Sequence, residues 1–126
     1  MQLHFVSKAV ECLKKVHMTE HNKLVRDKVV ERIEKKNEQC EWYTCPPEEY
    51  PKRLLEKLVE ESTELLQEFS TSADSEKLKS EFADVLEVID ALRREMGWSK
   101  TIMQPVRYKK MRSRGGFSKR IILVRS

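Results

Sequence analysis

Two acidic clusters, Glu60-Glu61-Ser62-Thr63-Glu64 and Glu81-Phe82-Ala83-Asp84, each hold a pair of carboxylates three residues apart. Residues three apart on a helix share a face, and both clusters lie in runs with helical periodicity. Two such helices packed antiparallel aim Glu61, Glu64, Glu81 and Asp84 at one spot. Four converging anions repel unless a cation lies between them, and hard divalent cations take oxygen ligands of this kind. The chemistry to expect is therefore binding of Mg²⁺, with Mn²⁺ as a substitute. The other reading is a solvated acidic face on which Lys57 pairs with Glu61 at i,i+4. Spacing alone leaves both open.

The elements that must position these groups are helical. The first long helix is expected from about Glu48 to Phe69, after Pro46-Pro47, with Leu54, Leu55, Leu58, Leu65, Leu66 and Phe69 as its apolar stripe. Lys57, Glu61, Glu64 and Glu68 form a polar stripe beside it. Ser70–Asp74 is the turn. The second helix is expected from Ser75 to Met96, with Leu78, Phe82, Val85, Ile89, Leu92 and Met96 inward, and Gly97 as its stop. Glu81 lies at the edge of that apolar stripe, where a lone carboxylate is partly desolvated.

Shorter helices are expected at about 22–36 and 100–112, where Pro105 argues for a late start or a kink. A further stretch at 7–16 has a weak helical pattern. The fold class is thus mainly α, an antiparallel helical bundle core of about four helices. A small two-stranded β element is expected where residues 41–44 meet 120–124, both rich in strand formers. Residues 1–19 read as an N-terminal extension and 20–126 as the domain; Met18 offers a second start codon.

At 126 residues the chain suits one domain with a modest core. Charged residues make up 37% and hydrophobic ones 39%, which suits a helical soluble protein better than a disordered one. No apolar run reaches the length of a membrane span, and Met1–Val6 lacks the pattern of a secretory signal. A cytoplasmic location is the expectation, with reduced thiols. Cys12, Cys40 and Cys45 form an odd set without a disulfide framework. Their spacing is too loose to argue for zinc.

Charge is split along the chain. Residues 1–98 carry 16 Lys/Arg and 21 Asp/Glu, whereas nine Lys/Arg and no acidic residue follow Glu95. Such a basic ending suits nucleic acid or a phosphorylated small molecule. A binding module using this segment on nucleic acid is the reading from a second class. Against it, only Tyr108 and Phe117 are available there for stacking on bases, and no nucleic-acid-binding motif is present.

Glu61-x-x-Glu64 followed after 16 residues by Glu81-x-x-Asp84 resembles the signature of the all-α nucleotide pyrophosphohydrolases. That superfamily includes MazG, the dimeric dUTPases and phosphoribosyl-ATP pyrophosphohydrolase. Asn22-Lys23-Leu24-Val25-Arg26-Asp27-Lys28 and Arg114-Gly115-Gly116-Phe117 are similar to the opening and closing motifs of its MazG-like branch. The resemblance covers about residues 20–124. Val30 departs from it, standing where similar proteins often have proline, and the ending is more basic than theirs.

The resemblance implies a Mg²⁺-dependent hydrolase that cleaves the α–β phosphoanhydride of a nucleotide, in nucleotide-pool house-cleaning. It implies metal binding by Glu61, Glu64, Glu81 and Asp84, with Glu61 and Glu64 also catalytic. It places the opening motif near substrate, where Asn22, Lys23, Arg26 and Lys28, together with Arg114, are the candidate binding residues. On one helix at most two or three of the opening set face a single ligand. Phosphoribosyl-ATP hydrolysis in histidine biosynthesis is the alternative within the class. A homo-oligomer, dimer or tetramer, is expected, with Trp42, Trp98 and Met103 as candidate contacts.

Overall fold

The computed structural model describes residues 18–72 and 74–126. They form four helices, α1 (Val29–Lys35), α2 (Tyr50–Thr71), α3 (Ser75–Glu95) and α4 (Lys100–Arg114), and no strand among the described residues. The expected stretch at 7–16 lies outside them, as does most of the expected extension.

Among the described residues α2 and α3 are the helices that pack on each other; α1 and α4 pack against none of the others. The hairpin has well-marked ends. Pro51 opens α2, where its missing N–H costs nothing. Asp74 caps α3 by accepting from the backbone N–H of Glu76 at 2.9 Å and Lys77 at 3.1 Å. At the other end Gly97 takes φ 70. This lets the Trp98 N–H reach back to the Arg93 carbonyl at 2.9 Å.

The seam between the helices uses about half of the expected stripes. Leu54 and Val88 are its buried apolar residues, with Leu58, Leu65, Leu78, Val85 and Leu92 half-buried around them. Phe69, Phe82, Ile89 and Met96, expected inward, are exposed. The reason is that each helix carries two apolar rows. The hairpin closes on the rows that flank the carboxylates, and leaves Leu55, Val59, Leu66 and Phe69 facing outward with Phe82 and Ile89.

Two further expectations are corrected, and a third holds. The β element does not form: residues 41–44 and 120–124 are irregular, and Ile121 to Val124 are about four-fifths exposed. Two short strands are marginal without a third, and Arg120 at φ 55 interrupts the extended backbone. The helix expected from residue 22 begins only at Val29, since Asn22 sits at φ 44 and a turn at Asp27-Lys28 precedes the helix. Asn37 does end it, at φ 57. α4 forms where a helix was expected, starting at Lys100 without the delay that Pro105 suggested and running through it to Arg114.

So small a core makes its central residue important. Leu54 is 2% exposed, and Leu54→Ala is expected to cost about 3 kcal/mol, by lost transfer energy plus the cavity left behind. Urea denaturation of the two proteins measures it.

Candidate metal centre

The rows that close the hairpin bring Glu61 from α2 together with Glu81 and Asp84 from α3. One carboxylate oxygen of each lies within 4.8 Å of the others. Three of the four expected ligands therefore converge. Glu64 stands outside this triad, three residues beyond Glu61 on α2, and the Glu61 charge acts on it.

Three cations flank the carboxylates. Lys57 Nζ lies 3.2 Å from Glu61 Oε1 and 3.1 Å from Glu60 Oε2. The i,i+4 pair of the solvated-face reading thus exists, but Glu61 is 8% exposed and is not on a solvated face. Lys23 donates to Glu60 Oε1 at 2.5 Å, and Arg26 Nη2 to Asp84 Oδ1 at 2.6 Å. These two basic residues reach the cluster from an irregular stretch, residues 22–26 not being helical.

The other expected substrate residues stand differently. The Asn22 side chain and carbonyl both accept from Arg53, at 3.1 and 3.0 Å. Lys28 is exposed at the start of α1, and Arg114 is exposed at the end of α4.

Sequence reasoning passed over Arg53. Its guanidinium also donates to Glu49 Oε1 at 2.8 Å and to the Tyr43 hydroxyl at 3.0 Å, while that hydroxyl donates to Glu49 at 2.9 Å. Arg53 thereby ties three stretches of chain together and holds residue 22 on α2. Arg53 and then Tyr43 keep the Glu49 carboxyl below its ordinary range. The i,i+4 spacing of Glu49 and Arg53 was the available signal.

The electrostatics leave the centre short of positive charge. Glu60, Glu61, Glu64, Glu81 and Asp84 face Lys23, Arg26 and Lys57, a surplus of two negative charges that one divalent cation balances. Burial, then the charges of Glu61 and its neighbours, push the Glu64 carboxyl up. Burial, then Asp84 and Glu61, do the same to Glu81. Burial also opposes ionisation of Glu60, but Lys23 and Lys57 together outweigh it and its pKa is lowered. Moreover, Glu61 Oε2 and Glu81 Oε2 are buried with no hydrogen-bond partner among the described residues. Such atoms are costly unless something coordinates them. The donor set, its charge and its two orphaned oxygens fit Mg²⁺.

A pH dependence follows for the metal-free protein. A carboxyl whose pKa is raised on folding binds its proton more tightly in the folded state. Stability from Glu64 and Glu81 therefore grows as pH falls from neutral toward the ordinary carboxylate range, and is lost as pH rises. Glu49 and Glu60, with lowered pKa values, act oppositely, and their contribution is lost below that range. In chelator the melting temperature is expected to peak in mildly acidic buffer. Saturating Mg²⁺ is expected to abolish the decline toward neutral pH, as calorimetry at a series of pH values would show.

No helix among the described residues is long and apolar enough to cross a membrane. Comparison of the chain with family models, with curated proteins and with solved structures gave no match.

Proposed function

We propose that this chain is a Mg²⁺-dependent nucleotide pyrophosphohydrolase of the MazG-like kind, cleaving the α–β phosphoanhydride to release a nucleoside monophosphate and pyrophosphate. The observation that carries the reading is the carboxylate triad, Glu61 buried and Glu81 and Asp84 half-buried, with two oxygens unpartnered among the described residues and two ion-paired basic residues at its edge.

Glu61, Glu81 and Asp84 would hold the metal. Mg²⁺ bound there would supply neutralisation of phosphate charge and a lowered pKa for a water at phosphorus. The residues do the rest. Lys23 and Arg26 are paired with Glu60 and Asp84, and phosphate oxygens offer them equivalent charge-assisted bonds. Glu64, outside the triad, is the carboxylate left to take a proton from the attacking water. Lys57, enclosed between Glu60 and Glu61, holds the α2 carboxylates in place.

The test is a panel of nucleoside di- and triphosphates, including phosphoribosyl-ATP, assayed for pyrophosphate release with Mg²⁺ and with chelator. Metal-dependent release from at least one member supports the reading. No release from any, with salt-dependent binding of an oligonucleotide to the basic ending, would favour the nucleic-acid module instead. Within the enzyme reading, Arg26→Ala is expected to lower kcat/KM by roughly 10- to 100-fold, mostly through KM.

A further inference from the structure

Residues 22–26 bring two cations to the centre, yet little of their own holds them there. Among the described residues no backbone–backbone hydrogen bond reaches residues 22–25. The ion pairs of Lys23 with Glu60 and Arg26 with Asp84 have side chains between a quarter and three-fifths exposed. Pairs so exposed contribute little to holding a segment in place.

Arg53 supplies the hold. Its side chain is 17% exposed. A guanidinium carries five N–H donors, and here there is an acceptor for each. Nε donates to Glu49, Nη1 to the Asn22 carbonyl and to Glu56, and Nη2 to the Asn22 side-chain oxygen and the Tyr43 hydroxyl. Two nitrogens thus grip Asn22 by backbone and side chain together, which fixes its direction as well as its place. Asn22 needs such a grip, because φ 44 is a left-handed backbone that even asparagine adopts at some cost.

The position of Arg53 on α2 sets where the cations arrive. It precedes Lys57 by one turn and Glu60 and Glu61 by two, on the same side of the helix. At about 1.5 Å per residue, Glu60 lies roughly 10 Å further along the axis. Lys23, the residue after Asn22, reaches Glu60 across that interval. With every donor of Arg53 engaged, none is left for a phosphate, so any effect of Arg53 on one passes through residues 22–26.

We infer that Arg53 is a positioning residue, whose grip on Asn22 keeps Lys23 and Arg26 beside the carboxylates, ready to exchange a carboxylate oxygen for a phosphate oxygen. The identity of that ligand, a pyrophosphate group held with Mg²⁺, rests on the hydrolase reading. Cations already in place bind it without a fresh ordering cost.

Two opposite effects follow from loosening the grip. Lys23 and Arg26 then compensate the carboxylates less, so Mg²⁺ binds more tightly. They also meet pyrophosphate less, so pyrophosphate binds the Mg²⁺-loaded protein more weakly. Simple damage to the fold would weaken both.

Titration calorimetry on the full chain reads the two affinities, first with Mg²⁺ alone and then with inorganic pyrophosphate on Mg²⁺-saturated protein. For Arg53→Ala, Mg²⁺ affinity is expected to rise about threefold and pyrophosphate affinity to fall roughly 10-fold. Asn22→Gly changes no charge and permits the same backbone. It is expected to move both affinities in the same two directions by smaller factors, and it decides by those signs if Arg53→Ala fails to fold. In a Lys23→Ala, Arg26→Ala background, Arg53→Ala is expected to change pyrophosphate affinity less than about twofold, since the groups it acts through are gone. Both affinities moving one way, neither moving, an undiminished loss in that background, or a wild type that binds neither ligand would each overturn the inference. No turnover enters these titrations. Wild type that binds pyrophosphate with Mg²⁺ but releases none from any nucleotide would strike the hydrolase reading alone, and the two affinities would still decide the role of Arg53.

Discussion

Glu61→Gln is expected to reduce Mg²⁺ affinity by on the order of 100-fold and pyrophosphate release by about 1000-fold. Glu61 is the most buried member of the triad and owns one of its two orphaned oxygens. The amide keeps its shape but removes one of the charges the metal would neutralise. In chelator the variant is expected to be as stable as the parent or slightly more so, because repulsion among Glu61, Glu64 and Glu81 is relieved. Glu64→Gln separates two roles. Lying outside the triad, it is expected to abolish release while costing less metal affinity than Glu61→Gln. Titration calorimetry with Mg²⁺, beside the release assay, measures both. Equal affinity in wild type and Glu61→Gln would remove the triad as the site.

Lys57→Met is expected to act in the opposite direction on metal. Its side chain is 13% exposed and lies between Glu60 and Glu61. Removing one partner of a largely buried ion pair leaves the other charge uncompensated, which costs about 3 kcal/mol. Urea denaturation in chelator is expected to show that loss. With one positive charge fewer beside the triad, Mg²⁺ is expected to bind roughly 10-fold more tightly, and adding it is expected to restore much of the lost stability. A variant as stable as the parent in chelator would mean that Lys57 does not compensate the carboxylates.

Both experiments turn on a feature that one sequence does and does not reveal. The paired carboxylates, the two long helices, the turn at Asp74 and the stop at Gly97 were legible, because each depends on spacing or on the chemistry of one residue. Which apolar row faces inward was not. Leu55 and Leu58 on α2, or Phe82 and Val85 on α3, are alternative seams of similar composition, and only the pairing of the helices decides between them. The approach of Lys23 and Arg26 was expected from resemblance alone. Their actual route, along an irregular stretch held by Arg53, joins residues 31 positions apart, and no local rule reaches that far. The β element failed for the opposite reason: strand-forming residues were present, but no surrounding sheet made pairing worthwhile.

The sequence distances within the centre also order its assembly in time. α2 and α3 are joined by a turn of three residues, so their contacts close a short loop, and local closures of this kind are fast. Lys23 and Arg26 meet their carboxylates across 37 and 58 residues, and longer closures come later and at greater entropic cost. The hairpin therefore forms before most of its counter-charges arrive. During that interval Lys57, built into α2 itself, is the cation already in place. A divalent ion present during refolding would shorten the interval, acting on the rate at which the chain reaches its final state as well as on the state itself.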